Sequence, residues 1–136
     1  MICLLETKQR DEKIKDVAYE LGYSNYVTVP PQGMSGGIAM LWKNSVSVSI
    51  ISLSANLVDT QVEFNGISFY LSLVYGYPDP TQRNRLWETF ERLSTNRNSP
   101  WLTMGDFNEI KGNAKKRGGP RRPERFFDDF RRMINI

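Results

Sequence analysis

Two short stretches place polar side chains where apolar runs end. Residues 101–109, WLTMGDFNE, begin as a strand and then present Asp106, Asn108 and Glu109 directly after Gly105. Glu6 likewise follows the apolar run Ile2–Leu5. The 136 residues contain no histidine, which excludes Ser-His-Asp and Cys-His nucleophilic machinery and any His-ligated transition metal. Chemistry in this chain therefore falls to carboxylates. Acidic side chains suit hard cations, Mg2+ or Mn2+, which are held by one or two carboxylates together with water and substrate phosphate. The single cysteine, Cys3, excludes an internal disulfide and a multi-cysteine zinc site, and reads as a small apolar residue of a buried strand.

These residues need elements that fix them. The apolar pattern predicts strands at 2–5, 25–29, 38–43, 46–52, 58–64, 67–75 and 101–104. It predicts helices from Asp11 to Leu21, from a Thr81 cap to about Asn96, and from Pro123 onward. Asn65-Gly66 between two alternating runs is a hairpin turn whose central positions both take positive φ. Gly22 stops the first helix. Leu86, Phe90 and Leu93 form the buried stripe of the second helix, with Arg83 and Arg85 toward solvent, and Phe126, Phe127, Phe130, Met133 and Ile134 form that of the third. The strand at 101–104 is expected to pack inside, with Phe107 turned to the core between Asp106 and Asn108.

A hairpin meander followed by a helix-crossed strand implies a mixed sheet covered by helices, an α/β (α+β) fold. Glu6, Tyr75, Asp106 and Asn108 all fall at strand ends, where a rigid strand can present polar groups from its following loop. Each also fits a plainer role: Glu6 as a solvated carboxylate near a helix start, Tyr75 as a buried ring with its hydroxyl at the surface, and Asp106 with Asn108 as a turn or cap. Ser35-Gly36-Gly37 reads as a turn entering a strand.

Length and a hydrophobic content of 40% are enough for one domain with its own core. No apolar run is long enough to span a membrane, and the opening residues meet Glu6 too soon for a signal peptide, so the expected setting is intracellular. Charge is uneven. Residues 1–110 hold 9 basic and 12 acidic side chains, whereas residues 111–136 hold 9 basic and 3 acidic. The basic stretch, with Lys115, Lys116, Arg121 and Arg122, suits a phosphate backbone, a solvated loop or a nuclear-import signal.

The ordered motifs LLETK at 4–8, SGGIAMLWK at 35–43, LVYGYP at 73–78, RNRLWETF at 83–90 and PWLTMGDFNEI at 100–110 together resemble the endonuclease/exonuclease/phosphatase superfamily. Their succession, with GGPRRPERFFDDFRR at 118–132, looks most like the endonuclease domains of plant LINE-type non-LTR retrotransposons. The resemblance implies part of a DNase-like four-layer α-β-β-α sandwich and magnesium-dependent phosphodiester hydrolysis of DNA in the nucleus. It implies that Glu6 binds the metal, that Asp106 orients or deprotonates the attacking water, that Asn108 holds that water or the phosphate oxygens, and that Tyr75 contacts the scissile phosphate. Arg83, Arg85, Lys115, Lys116, Arg121 and Arg122 are the expected nucleic-acid contacts.

Two departures temper activity. The family pattern opens with an earlier asparagine-bearing strand and closes with strands carrying an aspartate and a catalytic histidine, none of which has a counterpart here. The loop after GDFNE carries Lys115 where a glutamate is usual. The expectation is one partial domain spanning 1–136, with weak or no turnover. Self-association, or a partner that completes the sandwich, would cover its exposed edges. A noncatalytic nucleic-acid-binding or protein-interaction module is the alternative.

Overall fold

A computed structural model describes residues 1–136, which divide into two compact units: Met1–Tyr75 with Asn98–Asp106, and Gly76–Arg97 with Phe107–Ile136. The fold is mixed α/β, as the sequence pattern predicts, and has the two sheets that the family resemblance implies in place of a single mixed one. No helix is long and apolar enough to cross a membrane.

In the first unit, β1 (Ile2–Leu5), β3 (Ile38–Trp42) and β2 (Asn25–Val29) form one antiparallel sheet, in the order β1-β3-β2. β3 is central and buried along its whole length, which is why it reads as an unbroken apolar run. One face of that sheet takes Ile14 and Ala18 of α1 (Asp11–Glu20) against Ala39 and Leu41. Val17 is half-buried and Leu21 is exposed, so a narrow stripe holds α1 to the sheet. A hydrogen bond from Thr28 Oγ1 to Asp11 ties the helix start to β2.

The second sheet has the order β4-β5-β6-β7, made of β4 (Ser47–Ser54), β5 (Leu57–Phe64), β6 (Ile67–Tyr75) and β7 (Trp101–Asp106). β5 and β6 form the expected hairpin, with Asn65 and Gly66 at φ of 50° and 75°. Val58, Val62, Leu71, Leu73 and Tyr75 of this sheet pack against Ile38, Met40 and Trp42 of the other, making the sandwich core. Cys3 packs against that core, and burial pushes its thiol above the usual range, in keeping with a structural side chain. On the opposite face Ser72 Oγ donates to Asp59 at 2.5 Å and accepts from Trp101 Nε1 at 2.9 Å, a buried polar net across three strands.

β4 carries a bulge between Ile50 and Ser52 that shifts its register, and Ile50, Ile51 and Leu53 are exposed. One expectation is corrected here. β7 does not pack inside. It pairs with β6 alone, in parallel, and Leu102 and Met104 remain 51% and 41% exposed although they lie on the side of the sheet that carries Leu71 and Leu73. Its apolar composition reflects that core-facing side, and the three-stranded sheet does not extend over it.

The second unit holds α2 (Arg83–Ser94), α3 (Asp128–Met133) and the segments joining them. The cap before α2 is Asp79 rather than Thr81: its carboxylate accepts from the Thr81 N–H at 2.9 Å and opens a 3-10 turn. Leu86, Trp87 and Phe90 are the buried face of α2. Phe107 is half-buried and packs among Trp87, Phe90 and Phe130 at ring-centroid distances of 6.3, 6.2 and 5.7 Å, turned inward as its alternation implies. Phe127, Phe130 and Met133 are buried on the last segment, whereas Phe126 and Ile134 are exposed. The third helix begins as a 3-10 turn at Glu124–Phe127, and that tighter winding rotates Phe126 off the buried stripe.

Candidate active site

β6 and β7 run in parallel with Tyr75 directly opposite Asp106, the last pair of their ladder. Register partners on neighbouring strands present their side chains to the same face, so the phenol and the carboxylate emerge together at the C-terminal ends of the two strands. Glu6 arrives from the other sheet, immediately after β1, and its Oε1 accepts a hydrogen bond from Tyr75 Oη at 3.2 Å. Three residues separated widely in sequence thus converge, and all belong to the first unit.

The loop that delivers Glu6 is strained and held. Glu6 and Lys8 have φ of 52° and 50°, a left-handed conformation costly for ordinary side chains. The Thr7 and Lys8 N–H groups donate to the Gly37 and Gly36 carbonyls, each at 3.2 Å. Gly37 permits this approach, because a Cβ there would collide with Thr7 Oγ1 and crowd the Lys8 nitrogen at 3.2 Å. Gly36 lies against the Tyr75 ring, with the position of its missing Cβ 3.7 Å from that ring. The Ser35-Gly36-Gly37 turn therefore seats Glu6 beside Tyr75, a role beyond that of a turn. Paired glycines directly before a fully apolar strand were the available signal.

At the end of β7, Gly105 has φ of 137°, and a Cβ there would collide with the Val74 carbonyl. β6 is anchored at the matching level: the Asn56 amide, itself buried, donates to the Tyr75 carbonyl at 2.7 Å, and Tyr75 N–H donates to the Asn56 carbonyl at 2.9 Å. Sequence reading did not single out Asn56, since an asparagine before a strand looks like any turn residue.

Electrostatics suit a neutral donor. Burial first, then the hydrogen bond to Glu6 and the negative charges of Glu6 and Asp106, hold the Tyr75 phenol above its ordinary range. At neutral pH it keeps its proton. The Glu6 side chain is 51% exposed and lies 3.9 Å from the Lys8 ammonium, a surface pair of little energetic weight.

Asn108 lies in the second unit, where its amide donates to the Gly76 carbonyl at 2.8 Å from a left-handed backbone, φ 50°. Asparagine tolerates that conformation better than most side chains, which explains the residue type independently of catalysis. Next to it, Glu109 is almost enclosed, with its side chain 6% exposed. Arg83 Nη1 donates to its Oε2 at 2.8 Å, Arg122 grips Oε1, and the Ile110 N–H donates to it at 2.8 Å. Burial alone would raise the Glu109 pKa, but these bonds outweigh it and hold the carboxyl below the usual range.

Arg83 also donates to the Tyr77 and Pro78 carbonyls, both at 2.9 Å. Its expected placement on a solvated helix face is thus corrected, because its guanidinium, 11% exposed, is consumed by the protein. Arg122 is half-buried, bound to Glu109 and stacked 4.4 Å from the Phe127 ring. Lys116 donates to the Pro120 carbonyl at 2.8 Å. Arg85, Lys115 and Arg121 are exposed. Asn113 staples the basic loop, bonding the Arg122 carbonyl at 2.8 Å and the Arg122 N–H at 3.0 Å.

No group of three or more acidic or cysteine side chains converges anywhere as a closed metal cage. Glu6, bonded to the Tyr75 phenol, and Asp106, the register partner of Tyr75, nevertheless suit a cation that takes one or two carboxylates and fills its remaining positions with water and phosphate.

A model of the Endonuclease/Exonuclease/phosphatase family matches residues 1–131. Among solved structures, the 3' phosphatase NExo (D146N) from Neisseria bound to product DNA hairpin superposes with a TM-score of 0.63 at 15% identity, covering 98% of this chain and 59% of that one. D. rerio TDP2 complexed with single strand DNA product gives 0.55 at 19% identity, over 79% of this chain and 47% of that one. The human Nocturnin catalytic domain with bound sulfate anion gives 0.50 at 14%, over 79% and 51%. At these identities the likeness is one of fold, and the chain spans roughly half the length of these proteins. No curated protein sequence matches it.

Proposed function

Because the chain belongs to the endonuclease/exonuclease/phosphatase family, we propose that it carries a phosphodiesterase site for DNA, dependent on Mg2+ or Mn2+, of the kind found in LINE-type retrotransposon endonucleases. We read residues 1–136 as one partial domain of such a nuclease, working in the nucleus. The convergence of Glu6, Tyr75 and Asp106 on one point carries this reading. It is supported by the family match and by the DNA bound to two proteins of similar fold.

Glu6 and Asp106 would hold the cation, which when bound supplies charge stabilisation at the phosphate and a more acidic water. Tyr75, kept protonated, donates a hydrogen bond to a nonbridging phosphate oxygen, where negative charge grows. Asp106 orients the attacking water and receives its proton. The water oxygen bonds to phosphorus as the ester P–O bond breaks, and the leaving oxygen takes a proton from solvent. Asn108 contributes by fixing the backbone after Asp106 through its bond to the Gly76 carbonyl.

A noncatalytic module that binds nucleic acid or a protein partner is the second reading. It is favoured by the exposed edge of β7. Nicking of supercoiled plasmid by tag-free protein, with and without Mg2+, separates the two. Magnesium-dependent nicking lost in both Glu6→Gln and Asp106→Asn supports the nuclease. No nicking from folded protein overturns it.

A further inference from the structure

The two units differ in charge. The first carries 5 basic and 8 acidic side chains, net −3, and the second 13 basic and 7 acidic, net +6. The unit that holds the proposed cation site is thus acidic, and the other is suited to a polyanion. Within the second unit lies a cavity of about 320 Å3, walled by Arg83, Asn84 and Trp87 of α2 and by Arg122, Arg125 and Phe126. That volume is at the lower end of the usual range for small-molecule sites, roughly 300–1,000 Å3.

Its lining has the parts that hold an unpaired nucleotide. Phe126 is 56% exposed, so its ring is available although its neighbours Phe127 and Phe130 are buried. The Arg125 guanidinium lies 5.4 Å from the Phe126 ring centre, stacked on it rather than joined to a carboxylate. The two carboxylates on the wall are already neutralised: Glu109 by Arg83 and Arg122, and Asp129 by Arg132 at 2.6 Å. Arg125 therefore leaves the cavity with a net positive charge. Asn84 adds an amide able both to donate to and to accept from a base edge.

We propose that this cavity binds one nucleotide of a single-stranded segment of DNA, with the base stacked on Phe126 and the phosphate paired with Arg125. Aromatic stacking with an adjacent cation is how single strands are held without sequence preference, since every base offers a π-face. The proposal deepens the reading above by naming where a strand is held. It rests on that reading only for the choice of DNA, because the cavity's contacts need neither the cation nor Glu6, Tyr75 and Asp106.

The test is fluorescence anisotropy of a labelled oligothymidylate with the full chain, in EDTA so that hydrolysis plays no part. An abasic oligonucleotide of the same length and free thymidine monophosphate serve as comparison ligands. Phe126→Ala should weaken oligothymidylate binding about tenfold and leave abasic binding unchanged, in line with a base-stacking contribution. Arg125→Ala should weaken both and lower the salt dependence by about 0.7 in log–log slope. Lys13→Ala, on α1 of the first unit, should bind as the parent does. Both altered side chains are exposed, so the fold should survive their removal, and circular dichroism checks that it does. Unchanged affinity in both variants, or equal loss for base-bearing and abasic strands in Phe126→Ala, overturns the proposal. Thymidine monophosphate competing as strongly as the oligonucleotide would overturn the strand and leave only a mononucleotide site. Plasmid nicking that persists while these variants bind normally defeats this site alone, and metal-free binding that tracks Phe126 without any nicking defeats the catalytic reading alone.

Discussion

Replacing Glu109 with glutamine strikes the most enclosed charge cluster in the second unit. In the parent, one carboxylate 6% exposed faces the guanidiniums of Arg83, 11% exposed, and Arg122, 29% exposed. Removing one member of a buried ion pair costs about 3–5 kcal/mol, because the charge left behind stays desolvated. Arg122 can turn toward water, whereas Arg83 is pinned by the Tyr77 and Pro78 carbonyls, so the lower end, about 3 kcal/mol, is expected. With an unfolding entropy of about 2.1 cal/mol/K per residue, that corresponds to a melting temperature roughly 10 °C lower. The effect has a pH signature. The Glu109 carboxyl is held below its usual range in the folded chain and returns to about 4.3 on unfolding. Its stabilisation is complete above that value and fades as pH falls through the folded pKa, so parent and Glu109→Gln should converge in acid. Calorimetry from neutral pH downward reads both quantities. A variant melting within about 2 °C of the parent at neutral pH, or a gap that persists unchanged into acid, would refute the clamp.

Tyr75→Phe should slow any magnesium-dependent nicking about 100-fold, the scale for losing one donor to a developing oxyanion, while moving stability by under about 1 kcal/mol. Comparable losses in both readouts would assign the phenol to structure alone. Gly105→Ala should destabilise the chain by about 2 kcal/mol or more in urea unfolding, because its Cβ meets the Val74 carbonyl at a φ of 137°. A neutral result would mean that the β6–β7 ladder yields there. Met104→Lys should raise the protein concentration at which light scattering detects association, since Met104 and Leu102 form an exposed apolar stretch on an edge strand. Identical scattering in variant and parent would remove β7 as the sticky edge.

What could be read from the sequence follows where local rules and burial agree. β1, β2 and β6 fall at their expected bounds because apolar alternation, turn residues and sheet position all point the same way. The Asn65-Gly66 hairpin is set by its turn alone. Tyr75 and Asp106 were recognisable as strand-end residues, but their pairing needed the parallel register of β6 and β7, a long-range fact that no local pattern carries. β7 itself misled, since an apolar strand looks the same whether a second sheet covers it or not. Arg83 misled for the opposite reason. Its position on α2 implies solvent, yet two loop carbonyls and a neighbouring carboxylate draw it in. Glu109 lay in plain view inside the motif, and only the long-range arrival of Arg83 and Arg122 distinguishes it from a solvated acid.

The electrostatics of the Tyr75 site constrain how the proposed reaction can run. Glu6 and Asp106 both act on the same phenol, and their charges help to keep it protonated. The same two charges repel a phosphodiester, itself an anion, from the place where Tyr75 would donate to it. Two like charges within about 4 Å cost on the order of 1–4 kcal/mol even where water screens them. In the proposed reaction Tyr75 would therefore serve as a phosphate donor only once those carboxylates are neutralised, which a bound divalent ion would do without removing the phenolic proton. Affinity for the nucleic acid should then come from elsewhere, and the positive excess in this chain belongs to the other unit, net +6. Binding in EDTA should consequently follow Arg125 and Phe126 and ignore Glu6→Gln, whereas hydrolysis should require Glu6. If Glu6→Gln strengthened metal-free DNA binding several-fold, the repulsion at Tyr75 would be governing affinity, and this division of labour would fail.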